Sequence, residues 1–250
     1  MIVLKSPREI ELIRAGGGIL AEAIEMLRDL VKPGVSTKEI DLEVEELIRK
    51  RGARPAFKGY RGFPATVCVS INEEVVHGIP AAHRRLQEGD IVGLDLGCIV
   101  EGYYADAAVT LPVGEIASDA QRLLDVTGES LGQGIAQARP GNRLGDISST
   151  IQRHVEGHGF AVVRAFVGHG IGRTLHEDPQ IPNFGEPGRG PILKVGMCLA
   201  IEPMVTMGTW DVRILDDGWT AVTADGSLAA HFEHTIAITE AGPEILTGGA

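Results

Sequence analysis

The sequence predicts an α/β (α+β) protein made of two related halves facing each other across a pseudo-twofold axis. Three observations carry this expectation. Amphipathic stretches with marked helix starts alternate with short runs rich in β-branched residues. Several residues recur at one constant offset of 107: Pro33-Gly34 matches Pro140-Gly141, Ile40 matches Ile147, Gly52 matches Gly159, Leu86 matches Leu193, Gly89 matches Gly196, and Asp95 matches Glu202. The length, 250 residues, allows one large domain or two small ones, and a chain of this size buries roughly three quarters of its unfolded surface without disulfide or metal staples. With the repeat, we expect a single domain, 1–250, with internal halves of about 1–115 and 116–250.

The elements follow in order. Ser6-Pro7-x-Glu9 is a capping box with proline at the first helical position, and Ile10, Ile13, Leu20, Ile24, Leu27 and Val31 continue it as an apolar stripe. Gly17 lies on that stripe and leaves room for close packing. Ser36-x-x-Glu39 opens a second helix whose apolar face is Ile40, Val44, Leu47 and Ile48. Ser118-x-x-Gln121 reads as the cap of a third, which stops before Pro140. A fourth runs from Asp146 to about His158, with Ile147, Ile151 and Val155 inward. Between them, Thr66–Ile71, Ile91–Val100, Tyr103–Leu111, Ala161–Val167, Met197–Ile201 and Thr235–Thr239 read as strands bounded by glycine or proline.

Composition excludes some functions. The formal net charge of −11 argues against a surface for nucleic acid or anionic membrane, which calls for a basic patch. Cys68, Cys98 and Cys198 are odd in number, far apart and in no C-x-x-C pair. They read as small buried groups in a reducing compartment. With no signal peptide or membrane span visible, the expected location is cytoplasmic.

Five residues stand out chemically: Asp95, Asp106, His169, Glu202 and Glu233 each interrupt an apolar or glycine-rich stretch. A buried, unpaired carboxylate costs several kcal/mol, so such groups neutralise, pair or coordinate a cation. Asp95 and Asp106 flank a hairpin turning near Glu101-Gly102, which places them opposite or one diagonal step apart on one face. Like charges so placed destabilise a sheet unless a cation is shared; the alternative is that both face solvent at an edge. Glu202 and Glu233, taken singly, read equally as exposed strand ends, and a lone His169 as structural. A phosphate-loop reading of the glycines around His169 fails for want of a following helix, since Pro179 and Pro182 intervene. Four carboxylates balance two divalent cations. Oxygen ligands with one imidazole suit manganese, iron or cobalt, with zinc also possible. Paired ions about 3.5–4 Å apart lower the pKa of water, which is hydrolytic equipment.

The strings NEEVVHGIP at 72–80, GLDLG around Asp95, YYAD ending at Asp106, FVGHGIGRTLHEDP at 166–179, AIEPM around Glu202 and FEHT around Glu233 resemble type I methionine aminopeptidases in order and spacing over nearly the whole chain. The resemblance implies the two-halved pita-bread fold, each half with antiparallel sheets and outer helices, and removal of the initiator methionine from nascent proteins. It implies that Asp95 chelates one metal, that His169 and Glu202 hold the other, and that Asp106 and Glu233 bridge. It further implies that hydroxide attacks the scissile carbonyl while Glu202 handles the proton, that His176 hydrogen-bonds the developing oxyanion, and that His77 contacts the scissile nitrogen. The free α-amine would ligate the metal at Asp95, which restricts cleavage to the first residue.

Tyr60, Phe63, Cys68 and Trp219 align with the methionine pocket; the residues alone read equally as a core lid, with Phe57, Tyr60 and Phe63 clustered in a glycine-rich loop. Phe63, Leu175 and His231 depart from the commonest pattern, where tyrosine, an aromatic and glutamine are frequent; none is a ligand. The short N-terminus and the absence of a long insertion between His176 and Glu202 fit a minimal bacterial-type enzyme acting as a monomer on nascent N-termini near the ribosome, preferring a small second residue. Two rivals remain open: an Xaa-Pro aminopeptidase or prolidase of the same fold, and a non-catalytic peptide-binding module.

Overall fold

The computed structural model describes residues 1–248. Both capping boxes form as the sequence predicts. Helix α1 (Pro7–Leu30) is capped by Ser6, whose Oγ accepts from Glu9 N while the Glu9 carboxylate accepts from Ser6 N at 2.8 Å. Helix α2 (Thr37–Lys50) repeats this with Ser36 and Glu39, the return bond being 2.7 Å. Helix α3 (Ser118–Ala136) corrects the expectation: its cap is Ala117, and Ser118 is already inside the first turn with no side-chain capping bond. Helix α4 (Leu144–Gly157) starts two residues before Asp146. That aspartate lies in the first turn, where its carboxylate accepts from Arg143 N at 2.8 Å and favours the helix dipole.

The offset of 107 proves to be a repeat of conformation. Gly34 and Gly141 both take φ +91°, Gly89 and Gly196 both +90°, and Gly52 and Gly159 +77° and +82°. These are left-handed values that L side chains resist, which is why glycine recurs. Gly34 N donates to Leu86 O at 2.8 Å, and Gly141 N donates to Leu193 O at 3.0 Å. The isolated bridges Ser36↔Arg85 and Arg143↔Ile192 repeat as well. Helices α2 and α4 match at both ends, and the strands beginning at Ile91 and Cys198 match at their starts.

One nine-stranded sheet joins the two halves of the sequence. Its order is Arg54–Pro55, Ile91–Val100, Tyr103–Pro112, Glu233–Thr239, Cys198–Ile201, Gly168–Gly170, Glu177–Ile181, with Val67–Ile71 also on Ile91–Val100 and Gly242–Ile245 on Glu233–Thr239. Every recorded pairing is antiparallel. The junction is the pairing of Tyr103–Pro112 with Glu233–Thr239. Two small three-stranded sheets carry Ala229–His231, Met204–Thr206 and Ala161–Val162, and Val212–Ile214, Ala221–Thr223 and Glu74–Val76.

The run Ala161–Val167 is not one strand. Val162 pairs with Val205 in a small sheet, the chain bends at Arg164-Ala165, and pairing resumes at Gly168 in the large sheet. Glu177–Ile181 went unread because Pro179 interrupts it, and proline weakens a strand signature.

Two apolar cores back the large sheet. Helices α1 and α2 bury Ile13, Leu20, Leu27, Ile40 and Ile48 against Leu94, Leu96 and Val67; helices α3 and α4 bury Leu123, Ile147 and Ile151 against Leu199, Ile201 and Ile236. Gly17 does permit close packing: a Cβ there would sit 2.0 Å from the Leu246 carbonyl oxygen. Alanine normally stabilises a helix relative to glycine by about 1 kcal/mol, but the backbone contact reverses the sign here. Gly17→Ala should cost about 1–3 kcal/mol net. It should lower the thermal midpoint by at least about 2–4 °C; a variant melting at or above the parent would refute the contact.

Candidate active site

The hairpin register decides where the acids fall. Asp95 stands opposite Ala108, and Gly97 opposite Asp106, so the two aspartates are one diagonal step apart on one face. The next strand continues both rows. Ala108 pairs with Glu233, and His234 with Ala107. Ala200 pairs with both Thr235 and His169. One cross-strand row therefore reads Cys68, Asp95, Ala108, Glu233, with Glu202 one step past the last recorded pair, His234↔Ile201. The neighbouring row runs through Gly97, Asp106, Ala200 and His169. Cross-strand neighbours on one face lie roughly 4.5–5.5 Å apart. The small residues Ala108 and Ala200 leave the space between the acids open.

The second row is fixed by side-chain bonds. Thr235 Oγ1 donates to Asp106 O at 2.7 Å and accepts from Asp106 N at 3.1 Å. Asn183 Nδ2 donates to Glu202 O at 2.9 Å. His169 Nδ1 lies 2.9 Å from Gly170 O, so Nδ1 carries the hydrogen and Nε2 presents its lone pair. That Nε2 lies 3.5 Å from Glu202 Oε1 and 3.8 Å from Asp106 Oδ2. Ligand atoms of Asp106, His169 and Glu233 all lie within 4.8 Å of one another.

This arrangement fits cations. Asp95 Oδ1, Asp106 Oδ1 and Glu233 Oε1 are buried with no hydrogen-bond partner. Among the described residues, the four carboxylates have ion-pair partners only in His169 and His231. Burial pushes the Asp95 carboxyl up to about 7. Burial and then the neighbouring carboxylates push Asp106 and Glu233 well above the usual range, and burial and Asp95 do the same to Glu202. Without a cation, burial favours the protonated forms; a divalent charge beside them would favour the carboxylates.

The five residues open onto one cavity of ≈ 300 Å³. Its lining includes every residue singled out from sequence: Tyr60, Phe63, Cys68, His77, His176 and Trp219 together with Asp95, Asp106, His169, Glu202 and Glu233. Phe63 packs edge-on to Trp219 with centroids 5.2 Å apart. His77 packs edge-on to Phe166 at 5.4 Å, and burial lowers it to about 4, so it is neutral at pH 7. Its φ of +62° is a left-handed value for a non-glycine, a strain found mostly at functional sites. His176 sits at the exposed rim with Nδ1 2.9 Å from the Tyr60 hydroxyl and its ring 4.4 Å from that of His169.

A sequence model of metallopeptidase family M24 matches residues 11–240. The chain belongs to metallopeptidase family M24. It is 55% identical over 247 residues to a methionine aminopeptidase from Clostridium perfringens, covering 99% of each chain. It is similar to the crystal structure of methionine aminopeptidase from Thermotoga maritima, with TM-score 0.98 and 52% identity over 99% of this chain and 100% of that one. The prolidase from Pyrococcus horikoshii shares the fold, with TM-score 0.80 and 23% identity, this chain covering 65% of that one.

In this M24 chain the cavity also takes in residues that the sequence did not single out as lining. Phe166 and Met204 flank His169 and Glu202 within the quoted strings, but apolar residues beside a ligand look like ordinary core until the cavity is seen. Phe57 reaches the wall because Gly97 has no side chain; a Cβ there would lie 2.7 Å from its ring. His231 is buried, with Nε2 3.8 Å from Glu202 Oε2 and no hydrogen-bond partner.

The raised carboxylates set a stability prediction for the metal-stripped protein. Folded Asp95, Asp106, Glu202 and Glu233 keep protons that the unfolded chain has lost, so stability falls as pH rises from about 4, the unfolded carboxylate value, through their folded values, which for Asp95 is about 7 and for the others is also well raised. His77 and His169, lowered to about 4, and His231, lowered to about 3, are neutral in the folded state above pH 6.5 and no longer oppose the trend. Chelator-stripped protein should therefore melt lower at pH 8 than at pH 6.5, and added manganese should remove the difference. An equal or higher midpoint at pH 8 without metal would contradict the buried-acid account.

Proposed function

We propose that this M24 chain is a single catalytic unit that removes the N-terminal methionine of peptides and nascent proteins, with a small second residue preferred. The observation that carries this reading is the opening of an acid-and-histidine cluster and an aromatic slot into one cavity, in a chain 55% identical to a methionine aminopeptidase. Asp95 would hold one divalent cation, His169 and Glu202 a second, and Asp106 and Glu233 both. Cobalt, manganese, iron and zinc suit this donor set. When bound, such cations polarise a carbonyl and make hydroxide available at neutral pH.

The chain's own groups do the rest. Glu202 takes the proton of the attacking water. Its carboxylate faces the cavity and its backbone is pinned by Asn183. For His176 to donate to the developing oxyanion through Nε2, its Nδ1 must accept a hydrogen. The Tyr60 hydroxyl at 2.9 Å supplies it and so fixes the tautomer. Neutral His77 offers a hydrogen bond to the scissile amide nitrogen without adding charge. Tyr60, Phe63, Cys68 and Trp219 form a slot for a flexible thioether, which packs well on aromatic edges.

No described helix is long and apolar enough to cross a membrane. Our reading places it as a monomer working on nascent N-termini in the cytoplasm, close to the ribosome. The prolidase reading shares the fold, but the identity to that structure is only 23%. A non-catalytic module would have no use for three unpartnered buried carboxylate oxygens beside an imidazole lone pair.

Manganese- or cobalt-loaded protein should release methionine from Met-Ala and Met-Gly peptides and lose activity on chelation. Preferential cleavage of Xaa-Pro peptides would overturn the assignment in favour of the prolidase reading. Asp106→Ala and Glu233→Ala should each abolish turnover while circular dichroism reports a folded chain. His176→Ala should lower kcat by roughly 10²–10³, the scale for one oxyanion donor, with a smaller change in KM. A KM effect alone would make His176 a binding residue only.

A further inference from the structure

Outside the cavity, the charge placement least expected of a stable protein is a buried ion pair, Lys5 with Glu177. Lys5 Nζ lies 2.6 Å from Glu177 Oε2, with side-chain exposures of 4% and 15%. A buried pair gains little over an apolar pair of similar volume, because both charges must leave water. What an apolar pair lacks is fixed oxygen positions, and here both Glu177 oxygens are in use. Oε2 accepts from Lys5, while Oε1 accepts from Thr174 N at 3.2 Å. Thr174 Oγ1 in turn donates to His176 O at 3.2 Å. The turn that carries His176 is thus closed from inside by the glutamate that follows it.

The lysine is held on two sides. Ser6, next in sequence, caps α1, and Lys5 N donates to Gly196 O at 2.7 Å. Gly172 makes room for the pair: a Cβ there would lie 2.5 Å from Lys5 Cε and 2.7 Å from Glu177 Oε1. The N-terminus of α1 grips the same loop again. Glu9 accepts from the Tyr103 hydroxyl at 2.6 Å and lies 3.6 Å from Arg173, and Tyr104 N donates to Gly172 O at 2.8 Å.

We propose that the Lys5–Glu177 pair is a positioning device that holds the 172–177 loop so that His176 faces the cavity. Lys5 touches no substrate and acts only through Glu177 and Thr174. The proposal rests on the role given to His176 above, and its test separates the two. Lys5→Met leaves Glu177 unpaired; the thermal midpoint should fall, and kcat on Met-Ala peptides should drop about 10–100-fold, the scale of a displaced catalytic group, with KM nearly unchanged. The deciding variant is Lys5→Met/Glu177→Leu. It should regain the thermal midpoint yet keep the low kcat, and its Thr174 amide should exchange hydrogen faster than in the parent. Parental kcat, parental exchange, or a midpoint that stays low in the double variant would each overturn the proposal, the last because the pair would then be structural. A parent that releases no methionine would overturn the aminopeptidase reading alone, since exchange at 172–177 needs no substrate.

Discussion

Four carboxylates share one buried face, and the rest of the structure is arranged around tolerating them. Burial alone pushes Asp95 up to about 7, and mutual repulsion moves the others further. A fold that merely needed stability would place apolar residues there. This chain instead sets among the acids Ala108 and Ala200, which shield nothing and fill little. The Thr235 hydroxyl is spent on the Asp106 backbone, so it neutralises no carboxylate. The open space and the unsatisfied oxygens are complementary: both disappear when divalent cations occupy the face.

The sheet junction makes that face possible. Neither sequence half holds the set: Asp95 and Asp106 come from one hairpin of the first, and the second supplies His169 and Glu233 from two strands and Glu202 from the residue just past a third. They meet because Tyr103–Pro112 pairs with Glu233–Thr239. A slip of one residue in that pairing would turn Glu233 to the opposite face, into the apolar core behind the sheet. The paired hydroxyl bonds of Thr235 to Asp106 and of Thr110 to His231 cross this junction and fix its register.

Much of this was legible in the sequence, and the parts that were not have a common cause. Ser6 and Ser36 marked helix starts because a capping box is local. Ser118 misled because Ala117, with nothing to signal it, is the cap. A hairpin turning at Glu101 and Gly102, both at positive φ as such a turn requires, put Asp95 and Asp106 on one face, opposite or one diagonal step apart, and the register shows the diagonal. The run Ala161–Val167 failed because its two ends belong to different sheets, a tertiary fact with no local signal. For the same reason Phe166 and Met204 were visible as neighbours of ligands but not as cavity walls, and the nearness of His231 to Glu202 depends on a pairing between Met204 and His231. Local chemistry is written in spacing; cross-strand neighbours are written in register.

The repeat supplies the scaffold and then stops. Asp95 and Glu202 occupy the same offset position, each on the strand that follows a left-handed glycine, Gly89 or Gly196. At that offset the other residues of the cluster have no counterpart: His169 falls on Gly62, Asp106 on Arg213 and Glu233 on Val126. A symmetric site would need a histidine and an added acid from each half. The second half alone provides the imidazole, on a hairpin whose bulge lies between His169 and Gly170. The loop of that hairpin is also what the N-terminal segment grips through Lys5 and Glu9. The asymmetry of the cluster thus lies in what each half adds beyond the repeated positions of Asp95 and Glu202, Asp106 in the first and His169 and Glu233 in the second.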